Sequence, residues 1–410
     1  MESEITRRLN CRICGQSNFT QILSLGAMPP ANAFIKKEEL AKEEKKYPLD
    51  VYYCHGCHLL QLLDIVNPAL LFSHYDYLTS ASKPLSEHFV NLGKELSNRF
   101  INSKNELFVE IGGNDGVMLH SLLGSCRVLN IEPALRIAEI SRNSGVETLA
   151  DFFSEDLAKE ILAKYGQAKI VSGSNVFAHI DDLADLFKGV KILIGEDGIF
   201  VMEVHHVGNL IAEGGFDQIY HEHLSYFSLH SLKYFVEAMG LRVFDIVLTN
   251  IHGQSMQVYI SKNKLPLSSV DRFIAKEKEL GLDNIQSYLD FTGRVKKNIA
   301  DLRQTLLSIS SVGKTIAGYG APAKGNTLLN VCGIDNKIID YIIDTTVFKQ
   351  GLFAPGSKIP VLAPEKFKES PPDYTLLLAW NYADVILEKE EAYRKNGGKF
   401  IIPVPSVKLV

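Results

Sequence analysis

Residues 218–223 read QIYHEH, which places Tyr220, His221, Glu222 and His223 at four successive positions. Two chemistries use such a set. Imidazoles and a carboxylate can ligate a divalent metal. Alternatively, one imidazole, whose ordinary pKa lies near neutrality, can take and return a proton while a carboxylate orients it and a phenol donates to a developing oxyanion. Spacing separates the two. Helical HExxH sites need histidines four apart, whereas His221 and His223 are two apart and, in an extended segment, face one side. No aspartate-rich surround or further cysteine completes a shell, so proton transfer is the expected role. His205 and His206, in GIFVMEVHHVGNLI (198–211), fall at a strand end and are expected to be structural, with the one nearer the cleft able to touch a ligand. Within the triplet, His221 has the bland reading of a structural or solvent-facing imidazole.

The cysteines carry a second signal. CRIC (11–14) and CHGC (54–57) form two knuckles, and two such turns aim Cys11, Cys14, Cys54 and Cys57 at one tetrahedral Zn(II). A redox CxxC pair or buried core thiols are the competing readings. Four thiolates leave no open position on the ion, so this zinc holds a fold and does no chemistry. His55 and His58 are read as neighbours of the ion, and Cys126 and Cys332 as core residues.

The elements that must position these residues read as α/β. LFVEIGGNDG (107–116) is a buried strand running into a glycine loop. It lacks the GxGxxG spacing, and Glu110 and Asp115 would repel a pyrophosphate, whereas the sulfonium and amino groups of S-adenosylmethionine are positive. Gly112, Asn114 and Gly116 complete the loop. Glu132 ends the next strand, where a carboxylate can take ribose hydroxyls, and Asp151 with Phe152 can meet an adenine amine and ring. AKIVSGSNVFAHI (168–180) is read as a fourth strand ending in Asn175 and His179 at the carboxyl edge of the sheet. Residues 262–310 read as one or two amphipathic linking helices. KTIAGYGAPAKGNTLLN (314–330) then repeats the strand, glycine turn and helix start, with Tyr319, Gly320, Lys324 and Asn326 as substrate contacts and a diphosphate as plausible occupant. Trp380 and Asn381 follow the strand YTLLLAW and reach the same edge.

Taken in order, the paired CxxC motifs, EIGGNDG, SNVFAHI, FDQIYHEHLSYFS, GYGAPAKGNTLLN, the KQG…PG…IPV stretch and WNYADVI resemble the nucleotide-sugar C-methyltransferases that add a branch methyl to deoxysugars, over nearly the whole chain. The resemblance implies three parts: a zinc-binding domain (1–70), a Rossmann-like S-adenosylmethionine domain (71–262), and a helical linker with a second Rossmann-like domain that helps hold the nucleotide sugar (263–410). It implies methylation at C3 of a nucleotide-linked 4-keto-6-deoxyhexose through an enolate. His223 would be the base, Tyr220 the partner of the C4 oxygen, and Glu222 and His179 supporting polar groups; Tyr77 would lie over the methyl donor. DTTVFKQG departs from the family's acidic-Asn-Pro version, which leaves the nucleotide open between dTDP and GDP. An NAD-dependent keto-sugar epimerase or oxidoreductase, or a non-catalytic zinc scaffold, are the rival readings.

Composition sets outer bounds. A chain of 410 residues is long enough for two or three cores. A net charge of −5 gives no general attraction to nucleic acid, and no apolar run long enough to span a membrane is present. The start, MESEITRRLN, lacks a secretory h-region, so a cytoplasmic location is expected; the oligomeric state is left open between monomer and homodimer.

Overall fold

The computed structural model describes residues 4–72, 78–249 and 255–410. The N-terminal lobe carries β1 (Ile5–Arg7), β2 (Phe19–Met28), β3 (Tyr47–Cys54), β4 (Leu60–Leu62) and β5 (Asp64–Val66). β2, β3 and β4 form an antiparallel meander and β1 pairs with β5. Alternation along β3 buries Tyr47, Leu49, Val51 and Tyr53 on one face.

The middle lobe adds β6 (Leu107–Ile111), β7 (Arg127–Ile131), β8 (Thr148–Leu149), β9 (Ala168–Ser174), β10 (Ile199–His205), β11 (Ser225–Tyr226), β12 (Arg242–Thr249) and β13 (Ser255–Ser261). Among the described residues its sheet runs β12-β13-β10-β9-β6-β7-β8, with only β13 antiparallel to its neighbours. β6 is buried throughout, as a central strand covered by helices on both faces must be. The two covering helices 155–165 and 183–194 start where Ser154 and Asp182 accept from the N–H groups of Leu157 and Asp185. β11 leaves this sheet and pairs with β4, so a strand from the middle of the chain completes the N-terminal sheet.

The linking region is two helices, 268–279 and 285–311, the second capped by Asn284. Then β14 (Ile316–Tyr319), β15 (Tyr341–Ile343), β16 (Val361–Leu362), β17 (Tyr374–Leu377), β18 (Lys399–Ile402) and β19 (Lys408–Leu409) build a second sheet in the order β16-β15-β14-β17-β18-β19. It is parallel except at β19. The N-terminal lobe sits between the other two. One core joins Ile13, Cys54 and Leu59 to the middle sheet, while another joins Ile22, Leu49 and Tyr53 to the long helix and the C-terminal sheet. No helix among the described residues is long and apolar enough to cross a membrane.

Candidate active site

The QIYHEH segment is a turn, which corrects the extended conformation expected from its sequence. His223 N–H donates to the Tyr220 carbonyl at 2.9 Å, an i to i+3 bond that reverses the chain within four residues. His221 and His223 therefore face apart. The His221 ring is buried and its Nε2 donates to the Tyr47 carbonyl at 3.1 Å in the N-terminal lobe. The His223 ring instead lies 4.0 Å from Tyr220, stacks on His179 at 5.2 Å and 24°, and has His205 at 5.7 Å, all between centroids. A small cavity beside it is lined by Ala178, His205, Gln218, Ser225 and Tyr226.

His223 Nδ1 lies 2.8 Å from the Gln218 carbonyl. A carbonyl only accepts, so Nδ1 carries the hydrogen and Nε2 is the basic nitrogen. The backbone fixes the turn from the other side: Leu224 N–H donates to the Ala178 carbonyl at 2.7 Å, tying it to the 3₁₀ turn Phe177–His179. That turn follows β9, which ends at Ser174; Asn175 then takes a left-handed φ of 58°, so Asn175 and His179 belong to the loop past the strand. Burial, with a contribution from His205, lowers His179 to about 4 and keeps it neutral near pH 7. Burial raises Glu222 to about 7; its Oε1 accepts from Asn32 Nδ2 at 3.1 Å. His206 is structural, held against the Glu277 carboxylate at 2.8 Å in the interior.

The glycine loop lies at the carboxyl edge of the same sheet. Gly113 is packed so closely that a Cβ there would lie 2.4 Å from Asn130 Oδ1 and 2.8 Å from Glu110 Oε2. Gly112 has φ +65°, a conformation that side chains rarely adopt, and its missing Cβ leaves room for Val176. A cavity here is lined by Thr79, Phe89, Glu110, Gly113, Asn114 and Ser174. Burial first, then Asp115 and Glu132, raise Glu110 to about 8. Glu132 spends its two oxygens on the N–H groups of Asn114 and Ala134 at 3.1 and 2.9 Å. Asn114 and Asp115 accept from the N–H groups of Thr79 and Ser80. Asp151 and Phe152 are both exposed among the described residues, and Asp151 Oδ1 accepts from the Phe152 N–H. Tyr77 lies outside the described residues. The helix that follows the loop is a single turn, Val117–His120.

In the C-terminal lobe three expected contacts come together: Lys324 Nζ meets Asn381 Oδ1 at 2.5 Å and lies 4.2 Å over the Trp380 ring. Burial lowers the Lys324 ammonium, against the pull of Asp217 and Glu213. Gly320 has φ 82° at the adjacent turn, where Asp344 accepts from the Ala321 N–H at 2.6 Å. Tyr319 does not join this group. Its hydroxyl donates to Glu390 at 2.8 Å and its ring packs on Phe367 and Phe400, since strand neighbours alternate faces. Asn326 is fully buried and donates to the Ala31 carbonyl at 2.7 Å, an interlobe tie.

Sequence reasoning missed Asp217. It is fully buried, and its Oδ2 accepts from Trp380 Nε1 at 2.6 Å. The neighbouring Gln218 carbonyl is the one that orients His223, so the C-terminal lobe touches the turn one residue from the imidazole's anchor. Trp380→Phe removes the donor and leaves the carboxylate buried without it. The expected cost is about 1–3 kcal/mol of folding stability, read as a lowered urea midpoint; an unchanged midpoint would show that the bond contributes nothing.

The four cysteines form the one group of metal-ligand geometry among the described residues, with all four Sγ atoms within 4.8 Å of one another. Cys11–Cys57 and Cys14–Cys54 are each 3.5 Å apart. A tetrahedral Zn–S length of about 2.3 Å requires sulfur separations of about 3.8 Å, so the set fits Zn(II) closely.

Family models match three successive stretches of the chain: a zinc binding domain over 11–72, a methyltransferase domain over 87–246 and a C-methyltransferase C-terminal domain over 250–405. The C-methyltransferase NovU of Streptomyces niveus is 37% identical over 404 residues, 98% of this chain and 96% of that protein. The chain belongs to the C-methyltransferase family. Solved structures similar to this C-methyltransferase include an S-adenosylmethionine-dependent methyltransferase from Anabaena variabilis, 14% identical over 42% of this chain and 85% of that one, with a TM-score of 0.32. The glycopeptide N-methyltransferase MtfA is 10% identical over 42% of this chain and 93% of that one, with a TM-score of 0.33.

Proposed function

We propose that this C-methyltransferase takes its methyl from S-adenosylmethionine and adds it to C3 of a nucleotide-linked 4-keto-6-deoxyhexose in branched-chain deoxysugar formation. The observation that carries the reading is the held imidazole of His223, its Nδ1 2.8 Å from the Gln218 carbonyl and its ring packed on those of His179 and Tyr220, in the loops past β9 and β10. Carbon is a poor nucleophile until an adjacent ketone lets a base remove its proton, and this cluster is built for that step.

His223 Nε2 takes the C3 proton while the Gln218 carbonyl holds the ring in one tautomer. Tyr220 donates to the C4 oxygen as negative charge develops there, and burial around Glu222 and His179 keeps that charge unscreened. When bound, the donor supplies an electrophilic methyl on a sulfonium. The residues at the glycine loop suit it. Glu110 Oε2 and Asp115 Oδ1 are buried without a partner among the described residues, and positive groups would satisfy both. Lys324, Trp380 and Asn381 are the contacts for the nucleotide portion.

The test is mass spectrometry of products from dTDP- and GDP-linked 4-keto-6-deoxyhexoses incubated with the donor. Gain of one methyl on either sugar supports the reading, and no gain on both overturns it. A second expectation concerns protons. Glu110, at about 8, is mostly protonated at pH 7, and a cation beside it favours the carboxylate. Donor binding at pH 7 should therefore release up to about one proton, fading above pH 8. Calorimetry in buffers of different ionisation enthalpy reads this directly; identical heats in all buffers would remove Glu110 from the site.

A further inference from the structure

The zinc-binding lobe holds the turn that carries the base at one residue after another. Tyr47 takes His221, Asn32 takes Glu222, and Leu62 N–H donates to the Leu224 carbonyl at 2.9 Å where β4 receives β11. Arg12 lies at the centre of this arrangement. It sits inside the first knuckle, between Cys11 and Cys14, and its side chain has no exposure to solvent. Its Nε donates to Asp181 Oδ1 at 2.9 Å, two residues past His179. Its Nη1 donates to the carbonyl of Leu224, next to His223, at 3.2 Å, and also to the Leu62 carbonyl and Gln61 Oε1. Gln61 Nε2 in turn donates to Cys11 Sγ at 3.1 Å.

We propose that Arg12 is a positioning residue for this enzyme: anchored in the zinc knuckle, it sets the spacing of the segments that carry the stacked rings of His179 and His223. The inference rests on the reading of His223 as the base. Its physical basis is the guanidinium fork. Nε and Nη1, fixed in one plane, reach acceptors on two separate loops at once, Asp181 on one and Leu224 on the other, and no other side chain offers that geometry. Charge-assisted bonds to a carboxylate and to carbonyls are also short and directional, so the loops move with the knuckle. The ion thereby acquires a role in the reaction geometry without touching a reacting atom.

The test uses the full-length, zinc-loaded protein and its Arg12→Met and Arg12→Lys variants. In Arg12→Met, zinc content should stay at the parent value. Amide hydrogen exchange should accelerate across 177–182 and 220–226, while 107–117 and 316–332 keep the parent rates. Turnover of the keto-sugar should show kcat lowered by about 10²-fold, the cost of a misplacement near 1 Å, with KM nearly unchanged. Arg12→Lys, which can satisfy one acceptor set and not both, should recover part of each effect, and its exchange map decides the matter if the methionine variant does not fold. Unaltered exchange in the two named segments would overturn the proposal, as would a uniform acceleration along the whole chain, which is the signature of a general stability residue. Failure of the functional reading would appear separately, as a parent protein with no keto-sugar turnover, and the exchange map would still decide the place of Arg12.

Discussion

His223→Asn is expected to lower kcat for methyl transfer by about 10³-fold, in the middle of the range that a positioned general base contributes. The choice of asparagine matters. His223 as a residue is 8% exposed, so a smaller apolar residue would mix a cavity with the loss of a base. The asparagine amide can still donate to the Gln218 carbonyl that now holds Nδ1, and the turn closed by the His223 N–H and Tyr220 carbonyl uses only backbone. What disappears is the Nε2 lone pair. Zinc content and donor affinity should therefore match the parent. Exchange of the C3 proton into deuterated solvent in the absence of donor isolates the step further. The parent should exchange it and the variant should not. A variant that methylates at the parent rate would eliminate His223 as base and leave His205, whose ring centroid lies 5.7 Å away, as the next candidate.

The parts of this site that the sequence announces are those set by local chemistry. Paired CxxC knuckles can be read because each turn aims its own two thiols. The run LFVEI with its glycines can be read because a buried parallel strand and a close backbone approach each demand particular residues. The QIYHEH residues were legible in type but not in shape. Alternation along an extended chain would have put both imidazoles on one side, and a single i to i+3 bond reversed that. Likewise Tyr319 and Asn326 lie in a glycine-rich stretch whose spacing suggested contacts. Strand alternation sends one into the core, and burial commits the other to Ala31. Asp217, Asn32 and Arg12 were out of reach for a different reason. Their partners Trp380, Glu222 and Leu224 lie 163, 190 and 212 positions away, and nothing local to either member of a pair encodes the other.

Cys54→Ser is expected to abolish zinc binding and, with it, methyl transfer, while the middle and C-terminal sheets persist. Cys54 is fully buried and Cys57 and Cys11 nearly so, which places the ion inside a core shared with Ile13 and Leu59. Apparent binding free energies of structural zinc are about 10–16 kcal/mol in isolated fingers. That is comparable with the whole stability of a domain, about 5–15 kcal/mol, so the knuckles are not expected to hold without the ion. The loss should spread along defined routes. Arg12 and Gln61 are fixed by the knuckle, β4 receives β11, and the turn with Tyr220 and His223 hangs from both. The glycine loop draws its support instead from Asn130, Glu132 and Val176. Donor binding by calorimetry should therefore survive in the serine variant while zinc by elemental analysis falls to none and keto-sugar turnover disappears. If donor binding vanished together with zinc, the middle lobe would depend on the ion for its own fold, and the separation between donor site and zinc-held turn drawn from these contacts would be wrong. A zinc-free variant that still turned over keto-sugar at the parent rate would show that the turn needs no support from the knuckle.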